Sequence, residues 1–316
     1  MPTEKMVQDD MVVRAAQHFR EELDADLFLG VYPLSFEKML HGAGAAVRSG
    51  RISIGVLSDD TKPVPTSGPV ADLERDWFPI SLVDGQAIVQ VSGPIFKGSN
   101  ILTRLYGGSS TKTLQQILRL AAADEDVKRI VLSIDSPGGS VSGLSELGDT
   151  LDRVRARKPV VSHIDGLGAS AAYYIASHTD TIYAERTALV GSIGTIMVMY
   201  DYAKMFEEAG VKPVVIATGP YKGTGVMGTE ITEDQQTELR EIVDFYFREF
   251  AATVMKGRSM AKKDFDELAT GRVWDAPAAR KMGLVDQLTT LDGVLAKGRS
   301  RSNRIKAEVG LAGING

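Results

Sequence analysis

An apolar run leads into a glycine-rich turn in the segment Arg129-Ile-Val-Leu-Ser-Ile-Asp-Ser-Pro-Gly-Gly-Ser-Val141. The run before Asp135 predicts a buried strand, and leucines at helical spacing after Val141 predict a helix. A strand that ends in Pro137-Gly138-Gly139 exposes consecutive backbone N–H groups, because glycine has no side chain to cover them. Such donors suit a phosphate or a developing oxyanion. An ordinary strand-to-helix turn has the same pattern, so both interpretations stay open here.

The same alternation of strands and helices continues on both sides of this segment. Strands that alternate with helices over residues 80–290 predict an α/β domain with a largely parallel sheet. A long helix begins at Thr232, where Gln235 completes a capping-box spacing. Its apolar stripe is interpreted as core or subunit interface and consists of Leu239, Ile242, Tyr246, Phe247, Phe250 and Val254. Further strands are predicted at 87–91, 159–164, 181–184 and 211–218, and further helices at 113–123, 144–154 and 169–177.

Composition divides the chain into four regions. Residues 1–46 predict a helical appendage, and residues 47–78, rich in glycine and proline, predict an irregular linker or arm. Residues 79–296 form the regular α/β domain. Residues 297–316, which hold five basic residues and no acidic one between 297 and 306, predict a basic, glycine-rich flexible tail. The N-terminus has no apolar region of the signal-peptide type and no run is long enough for a membrane span, so we expect a cytoplasmic protein or one inside a particle assembled there.

Charge and rare residues exclude several classes of function. The 316 residues contain 36 basic and 41 acidic side chains, a net charge of −5, which disfavours a dedicated nucleic-acid binder. Cysteine is absent, which excludes disulfides, thiolate zinc sites and a cysteine nucleophile. With only four histidines, a metal site built from several of them is disfavoured. We therefore expect neither a metal nor another cofactor.

A serine lies in an open, small-residue setting in the segment Gly166-Leu-Gly-Ala-Ser-Ala-Ala-Tyr-Tyr-Ile-Ala176. Ser170 at a helix start has the exposure that a nucleophile needs, although an N-cap serine in a tight packing contact would look the same. His178 follows by eight residues, about 12 Å along a continuous helix, which is too far for a direct hydrogen bond. His163 stays open as a base, and so does Lys222.

Lys222 lies among small, apolar and aromatic residues in the segment Ala217-Thr-Gly-Pro-Tyr-Lys-Gly-Thr-Gly225. A lysine acts as a base only when burial lowers its pKa, and most lysines are solvated surface groups. The nearby Gly223-Thr-Gly-Val-Met-Gly228 matches the dinucleotide pattern G-x-G-x-x-G. It neither follows a strand directly nor opens a helix, so it is a weak indication of nucleotide binding.

Taken together, these motifs resemble the signal peptide peptidase A/protease IV family of Ser–Lys peptidases over about residues 80–296. The bacteriophage head-maturation branch is the most similar one, because the chain carries a single copy of the unit and no anchor is expected. The resemblance implies a crotonase-like and caseinolytic-protease-like spiral of repeated β-β-α units. The motifs that carry it are Asp135–Gly139, Ala169–Tyr174, Gly191–Gly194, Tyr221-Lys222, Gly271–Asp275 and Gly283–Asp286.

The resemblance also implies a role for each residue of the site. Ser170 would be the nucleophile and Lys222 its general base, with the Ser192 hydroxyl orienting the lysine. The amide of Ala171, together with that of Gly138 or Gly139, would form the oxyanion hole. The membrane-anchored branch has Ser-Gly-Gly where this chain has Ser-Ala-Ala, a change that keeps the backbone donors. Serine and lysine meet across protomers or repeated halves in the family, so we expect a homo-oligomer with shared sites.

The leading interpretation is therefore a serine endopeptidase that processes phage scaffold, portal or coat proteins, with no nucleic-acid partner and no membrane anchor. A soluble host-type peptidase that removes signal peptides or damaged chains is the first alternative. A crotonase-type acyl-CoA enzyme is a second, because a fold does not determine a function. An inert scaffold component inside the capsid is a third, although such a protein would not need Ser170, Ser192 and Lys222.

Overall fold

The computed structural model describes residues 28–29, 79–98 and 108–299, so the predictions for the remainder of regions 1–46 and 47–78 lie outside the described residues. The helices are α1 (Thr111–Ala123), α2 (Leu144–Arg155), α3 (Ala171–Ser177), α4 (Ala203–Glu208), α5 (Glu233–Arg258), α6 (Lys262–Leu268), α7 (Ala276–Lys281) and α8 (291–299). The strands are β1 (Phe28–Leu29), β2 (Ile80–Val83), β3 (Gln86–Ser92), β4 (Ile95–Phe96), β5 (Ser109–Ser110), β6 (Arg129–Ser136), β7 (Gly139–Ser140), β8 (Val160–Ala169), β9 (Ile182–Ala184), β10 (Leu189–Gly191), β11 (Val273–Asp275) and β12 (Gln287–Leu288).

The main sheet has eight strands, in the order β11-β10-β8-β6-β3-β2, with β9 beside β8 and β12 beside β9. Only the pairs β2–β3 and β10–β11 are antiparallel, so the predicted α/β class with a largely parallel sheet is confirmed. Strand β8 changes partner along one edge. Its residues 162–164 pair with β9, whereas residues 167–169 pair with β10. A small second sheet has the order β1-β7-β4-β5.

Apolar residues on both faces of the main sheet are buried, as parallel sheets require. On one face, Ile130, Leu132 and Ile134 of β6 pack in the large core, which also holds the apolar faces of α1, α2 and α3. On the other face, Val131 packs in a smaller core with Val294 of α8. This burial of both faces explains why the strand reads as a continuous apolar run in the sequence.

Helix α5 confirms the predicted start at Thr232, because the Thr232–Gln235 capping box is formed. Its apolar stripe divides into two parts. Phe250 and Val254, in the half nearer the C-terminus, are buried in the core. Ile242 and Phe245, nearer the N-terminus, are 44% and 52% exposed. The stripe is therefore core in one half and an apolar surface in the other.

The strand predicted at 211–218 is not formed, and this prediction is wrong for the single chain. Residues 211–217 have no regular structure, and Val214 and Ile216 are 78% and 96% exposed. A strand needs a neighbour to bond its backbone N–H and C=O groups. Among the described strands, none pairs with this segment. Its β-branched residues therefore remain on the surface.

The chain is still helical beyond residue 296, where the basic tail was predicted to begin. Helix α8 continues to residue 299, and its last turn is anchored to the sheet. The Arg299 guanidinium lies 2.6 Å from the Asp84 carboxylate, and the Lys297 ammonium lies 5.0 Å from the centre of the Tyr183 ring. Residues 300–316 lie outside the described part. None of the helices described is both long and apolar enough to cross a bilayer.

Candidate active site

Three adjacent parallel strands of the main sheet end side by side, and each end carries one of the predicted motifs. Ser136 of β6 pairs with Gly168 of β8, and Ala169 of β8 pairs with Gly191 of β10. The turn after β6, Ser170 after β8 and Ser192 after β10 therefore lie at one edge of the sheet. Ligands of α/β proteins bind at this carboxyl edge. The topology thus brings three distant segments together.

Ser170 occupies a strained, sharp turn between β8 and α3. Its φ of 55° and ψ of −123° lie in a region that L-residues seldom adopt, at a cost of about 1–3 kcal/mol. The surrounding hydrogen bonds hold it there. The Ser170 N–H donates to the Gly191 carbonyl at 2.8 Å, and the Ser170 carbonyl accepts from the Tyr174 N–H at 2.9 Å. Such a turn presents a nucleophile at the top of a strand and the next amide beside it.

Gly138 lies directly against Ser170. A Cβ added to Gly138 would stand 2.7 Å from the Ser170 Cβ and 2.8 Å from the Ala171 nitrogen, and its φ is 96°. Only glycine fits this conformation and this close approach. Gly139 is equally restricted, because its added Cβ would stand 2.0 Å from the Ile95 carbonyl oxygen. Gly138 thus lets the turn after β6 reach the first amide of α3, and Gly139 lets the next residue lie against the backbone of β4.

Ser136 holds this turn in place, a role that the sequence analysis missed. Its hydroxyl donates to the Gly93 carbonyl at 2.6 Å and accepts from the Gly138 N–H at 3.1 Å. The Gly138 N–H can therefore donate to an oxyanion only if its hydrogen bond to the Ser136 hydroxyl breaks. The sequence does show a serine between an apolar strand and Pro-Gly-Gly. In such a turn, a serine hydroxyl often forms a hydrogen bond with the backbone of the residue two positions later.

We expect the Gly138→Ala variant to lose activity and to unfold more easily. The methyl group meets the backbone of α3 and forces a positive φ on alanine, which should cost about 1–3 kcal/mol. Chemical denaturation and peptide hydrolysis measure the two effects. The matched control is Gly98→Ala, because a Cβ at Gly98 meets nothing within 4 Å. Equal stability and activity of the two variants would contradict the contact described here.

Ser192 follows the residue that holds Ser170 in place. Its φ is 51°, its N–H donates to the Arg272 carbonyl at 2.6 Å, and it is 9% exposed. The Gly191 carbonyl, one residue earlier, accepts from the Ser170 N–H. Ser170 and Ser192 thus follow the neighbouring strands β8 and β10, and both have strained backbone conformations. Strain of this kind is concentrated at functional sites.

Lys222 is not brought to Ser170 within the single chain. Lys222 is exposed, in a turn closed by the bond from its N–H to the Gly219 carbonyl at 3.2 Å, whereas Ser170 is fully buried. Within the described residues its side chain has neither a hydrogen bond nor an ion pair. The stretch of chain that contains it, residues 196–227, carries many large apolar side chains that are between 40% and 96% exposed: Ile196, Val198, Met199, Tyr200, Met205, Val211, Val214, Val215, Ile216, Tyr221, Val226 and Met227.

Neither His163 nor His178 is positioned to act as a base for Ser170. His163 is buried on β8, with its Nε2 atom 3.0 Å from the Thr289 carbonyl oxygen. It precedes Ala169 by six residues, about 20 Å along a strand. His178 ends α3, and its Nδ1 atom lies 3.0 Å from the Asp152 carboxylate. The structure thus removes His163 as a base within one chain and agrees with the exclusion of His178.

The His178–Asp152 pair should make folding sensitive to pH. Burial lowers the pKa of His178 below its ordinary 6.5, against the raising effect of Asp152. Burial raises the pKa of Asp152, but bonding to His178 and the charges of His178, Lys256 and Arg155 outweigh it, so the net shift is downward from 3.8. Below pH 6.5 the unfolded chain therefore binds more protons at His178 than the folded one, and stability is lost as the pH falls.

Thermal unfolding at pH 7.5 and pH 5.5 tests this expectation. The wild-type protein should unfold at a lower temperature at pH 5.5, and the His178→Gln variant should show a smaller difference between the two conditions. The pKa of Asp152 is lowered from 3.8 on folding, so the stability that this carboxylate contributes is lost only as the pH falls below about that value. An identical pH dependence in the wild type and the variant would show that another group is responsible.

The chain is similar in sequence to known proteases. A model of peptidase family S49 matches residues 152–303, and a model of the Clp protease family matches residues 90–208. A putative protease of Synechocystis is 31% identical over 58% of this chain and 67% of its own length. A putative protease of Methanocaldococcus jannaschii is 30% identical over 59% of this chain and 60% of its own. Capsid assembly protease C of Escherichia phage lambda is 28% identical over 66% of this chain and 47% of its own. The chain therefore spans about half to two thirds of these relatives.

Proposed function

Because this chain belongs to peptidase family S49, we propose that it is a serine endopeptidase with Ser170 as nucleophile and Lys222 as general base. The observation that carries the proposal is the strained turn at Ser170, which touches Gly138 and bonds to the residue before Ser192. An acyl-CoA enzyme of related fold has no use for a serine held in this way.

The proposed reaction assigns each of these groups one task. The Ser170 oxygen attacks the carbonyl carbon of a peptide bond while Lys222 takes the hydroxyl proton. The N–H of Ala171, with that of Gly138 or Gly139, stabilises the oxyanion. Lys222 then gives the proton to the leaving amine, and water hydrolyses the acyl-enzyme. The Ser192 hydroxyl orients the Lys222 side chain, whose neutral amine is the form that takes the proton.

A second copy of the chain supplies the lysine in this proposal. Within one chain, Lys222 is exposed and Ser170 is fully buried. The segment 196–227 and the exposed half of α5 both carry exposed apolar side chains, and the Thr195 hydroxyl donates to the Val243 carbonyl of α5. Apolar surface of this kind suits an oligomer interface. Contact with a neighbour would bury Lys222 and give the unpaired segment 211–217 a partner. A closed homo-oligomer with sites at its interfaces satisfies both requirements.

The substrates we propose are phage head proteins (scaffold, portal or coat) and the place of action is the inside of the procapsid. This assignment is supported by the similarity to capsid assembly protease C of phage lambda. A cellular peptidase that degrades signal peptides is the competing assignment. The two differ in the polypeptides cut, so the protein is incubated separately with the capsid proteins encoded beside its own gene and with a signal peptide. Cleavage of the signal peptide alone would favour the cellular role.

A serine-reactive probe tests the chemistry. After treatment, intact-mass analysis and peptide mapping should find one adduct, on Ser170, together with loss of peptide hydrolysis. An adduct on another serine, or full activity after complete labelling of Ser170, would contradict the proposed nucleophile.

A further inference from the structure

Strand β1 belongs to the N-terminal region 1–46, called the arm from here on, and it pairs with β7, the strand that follows the turn beside Ser170. Phe28 pairs with Ser140 and Leu29 with Gly139, in antiparallel orientation. The other edge of β7 faces β4, to which Gly139 is paired through Ile95. Strand β1 is therefore the outermost strand of the small sheet and covers the edge of β7 that does not face β4.

The edge of β7 covered by β1 ends one residue from the glycine that touches Ser170. Gly139 directly follows Gly138, whose added Cβ would stand 2.7 Å from the Ser170 Cβ. In the register of β1, an extended peptide on this edge pairs with Ser140 and Gly139, and its next residue comes opposite Gly138. Addition of a strand to a sheet edge is a common way to bind peptides, because main-chain hydrogen bonds supply the affinity whatever the sequence.

Burial at the edge agrees with an occupied cleft. Ser140 and Ser170 are both fully buried, and Gly139 is buried as well. A nucleophile that acts on polypeptides must be reached from outside, so a site in which it is wholly covered must uncover it before a substrate can bind.

We propose that the arm segment Phe28–Leu29 occupies the peptide-binding edge at Gly139–Ser140 and competes with substrate for it. The inference rests on the proposed function, since it assumes that substrates use the same edge. The segment belongs to the same chain, so its pairing is intramolecular and benefits from an effective concentration of up to about millimolar. Two pairs of residues therefore suffice to exclude weak substrates, while a well-matched substrate displaces them.

Proline substitutions in the full-length chain test this competition. Proline lacks the N–H, so an outermost strand tolerates it only where that N–H would face away from the neighbouring strand. Successive N–H groups of a strand point to opposite sides, so one of the variants Phe28→Pro and Leu29→Pro removes a donor that faces β7. Leu29→Ala is the matched control, because it shortens the side chain and keeps the backbone donor. Hydrogen exchange of the peptide that contains Gly139 and Ser140, and the KM for a short peptide, are measured in all four proteins.

We expect faster exchange at Gly139–Ser140 in at least one proline variant, with unchanged protection in α2 and β6, and a KM lowered by roughly tenfold at constant kcat. Leu29→Ala should behave as the wild type. Unchanged exchange and KM in both proline variants would overturn the inference, and labelling of Ser170 in the same samples would leave the proposed function intact. Faster hydrogen exchange at Gly139–Ser140, with neither peptide hydrolysis nor labelling of Ser170 in any of the proteins, would instead contradict the proposed function. It would still support the pairing of β1 with β7.

Discussion

Replacing Ser170 by alanine should abolish peptide hydrolysis and lower kcat by on the order of 10⁴- to 10⁶-fold. The variant keeps the Cβ and the backbone of the strained turn, so the bonds to the Gly191 carbonyl and from Tyr174 remain. Stability should change by only about 1 kcal/mol. Rates with a fluorogenic peptide and denaturant unfolding measure the two quantities.

The control for this variant is Ser177→Ala, at the other end of α3. Ser177 is also buried, and its hydroxyl donates to the Tyr173 carbonyl at 2.8 Å. It should lose about 1 kcal/mol of stability and keep its activity. A Ser170→Ala protein that hydrolyses peptide at the wild-type rate would disprove the nucleophile. Similar losses of activity in both variants would indicate damage to α3 rather than loss of chemistry.

Replacing Lys222 by alanine or by arginine should be nearly as damaging as loss of the nucleophile. Guanidinium stays protonated and cannot act as a base, so the arginine variant keeps the charge and loses the function. Because Lys222 is exposed in the single chain, neither change should alter the stability of the folded subunit. Substantial activity in Lys222→Arg would show that another group takes the proton.

Mixing the two inactive proteins distinguishes a shared site from a site within each chain. In an equimolar oligomer of Ser170→Ala and Lys222→Ala subunits, about a quarter of the interfaces join an intact serine to an intact lysine if the site is shared. Activity should then return to about that fraction of the wild-type rate. Native mass spectrometry confirms that subunits have exchanged. Mixed oligomers without any activity would mean that each chain supplies its own pair.

The local structure followed from the sequence because it depends on short-range patterns. The continuous apolar run of β6 requires burial on both faces, which α1 and α2 on one side and α8 on the other provide. The capping box at Thr232 starts α5 where the spacing predicted. Placement of the motifs at strand ends also followed, since parallel strands present their carboxyl ends at one edge.

Predictions that depended on a distant neighbour were less successful. The segment 211–218 has the composition of a strand, but composition does not supply the partner that a strand requires, and the segment stays irregular in one chain. The role of Ser136 was missed for a similar reason. Its hydroxyl links Gly93 to Gly138, and the contact between those residues depends on how β3 and β6 pair.

The sequence by itself determined the α/β class, the positions of several helices and strands, and the residue types available for chemistry. Only the tertiary structure decided which of those residues meet. Ser170, Gly138 and Ser192 lie together because β6, β8 and β10 are neighbours in the sheet, an order that comes from packing and not from spacing. Lys222 is exposed whereas Ser170 is buried, and none of the described strands of the chain pairs with the segment 211–217 that precedes Lys222. Local patterns encode local backbone, whereas the site depends on long-range pairing whose free energy is shared over the whole core.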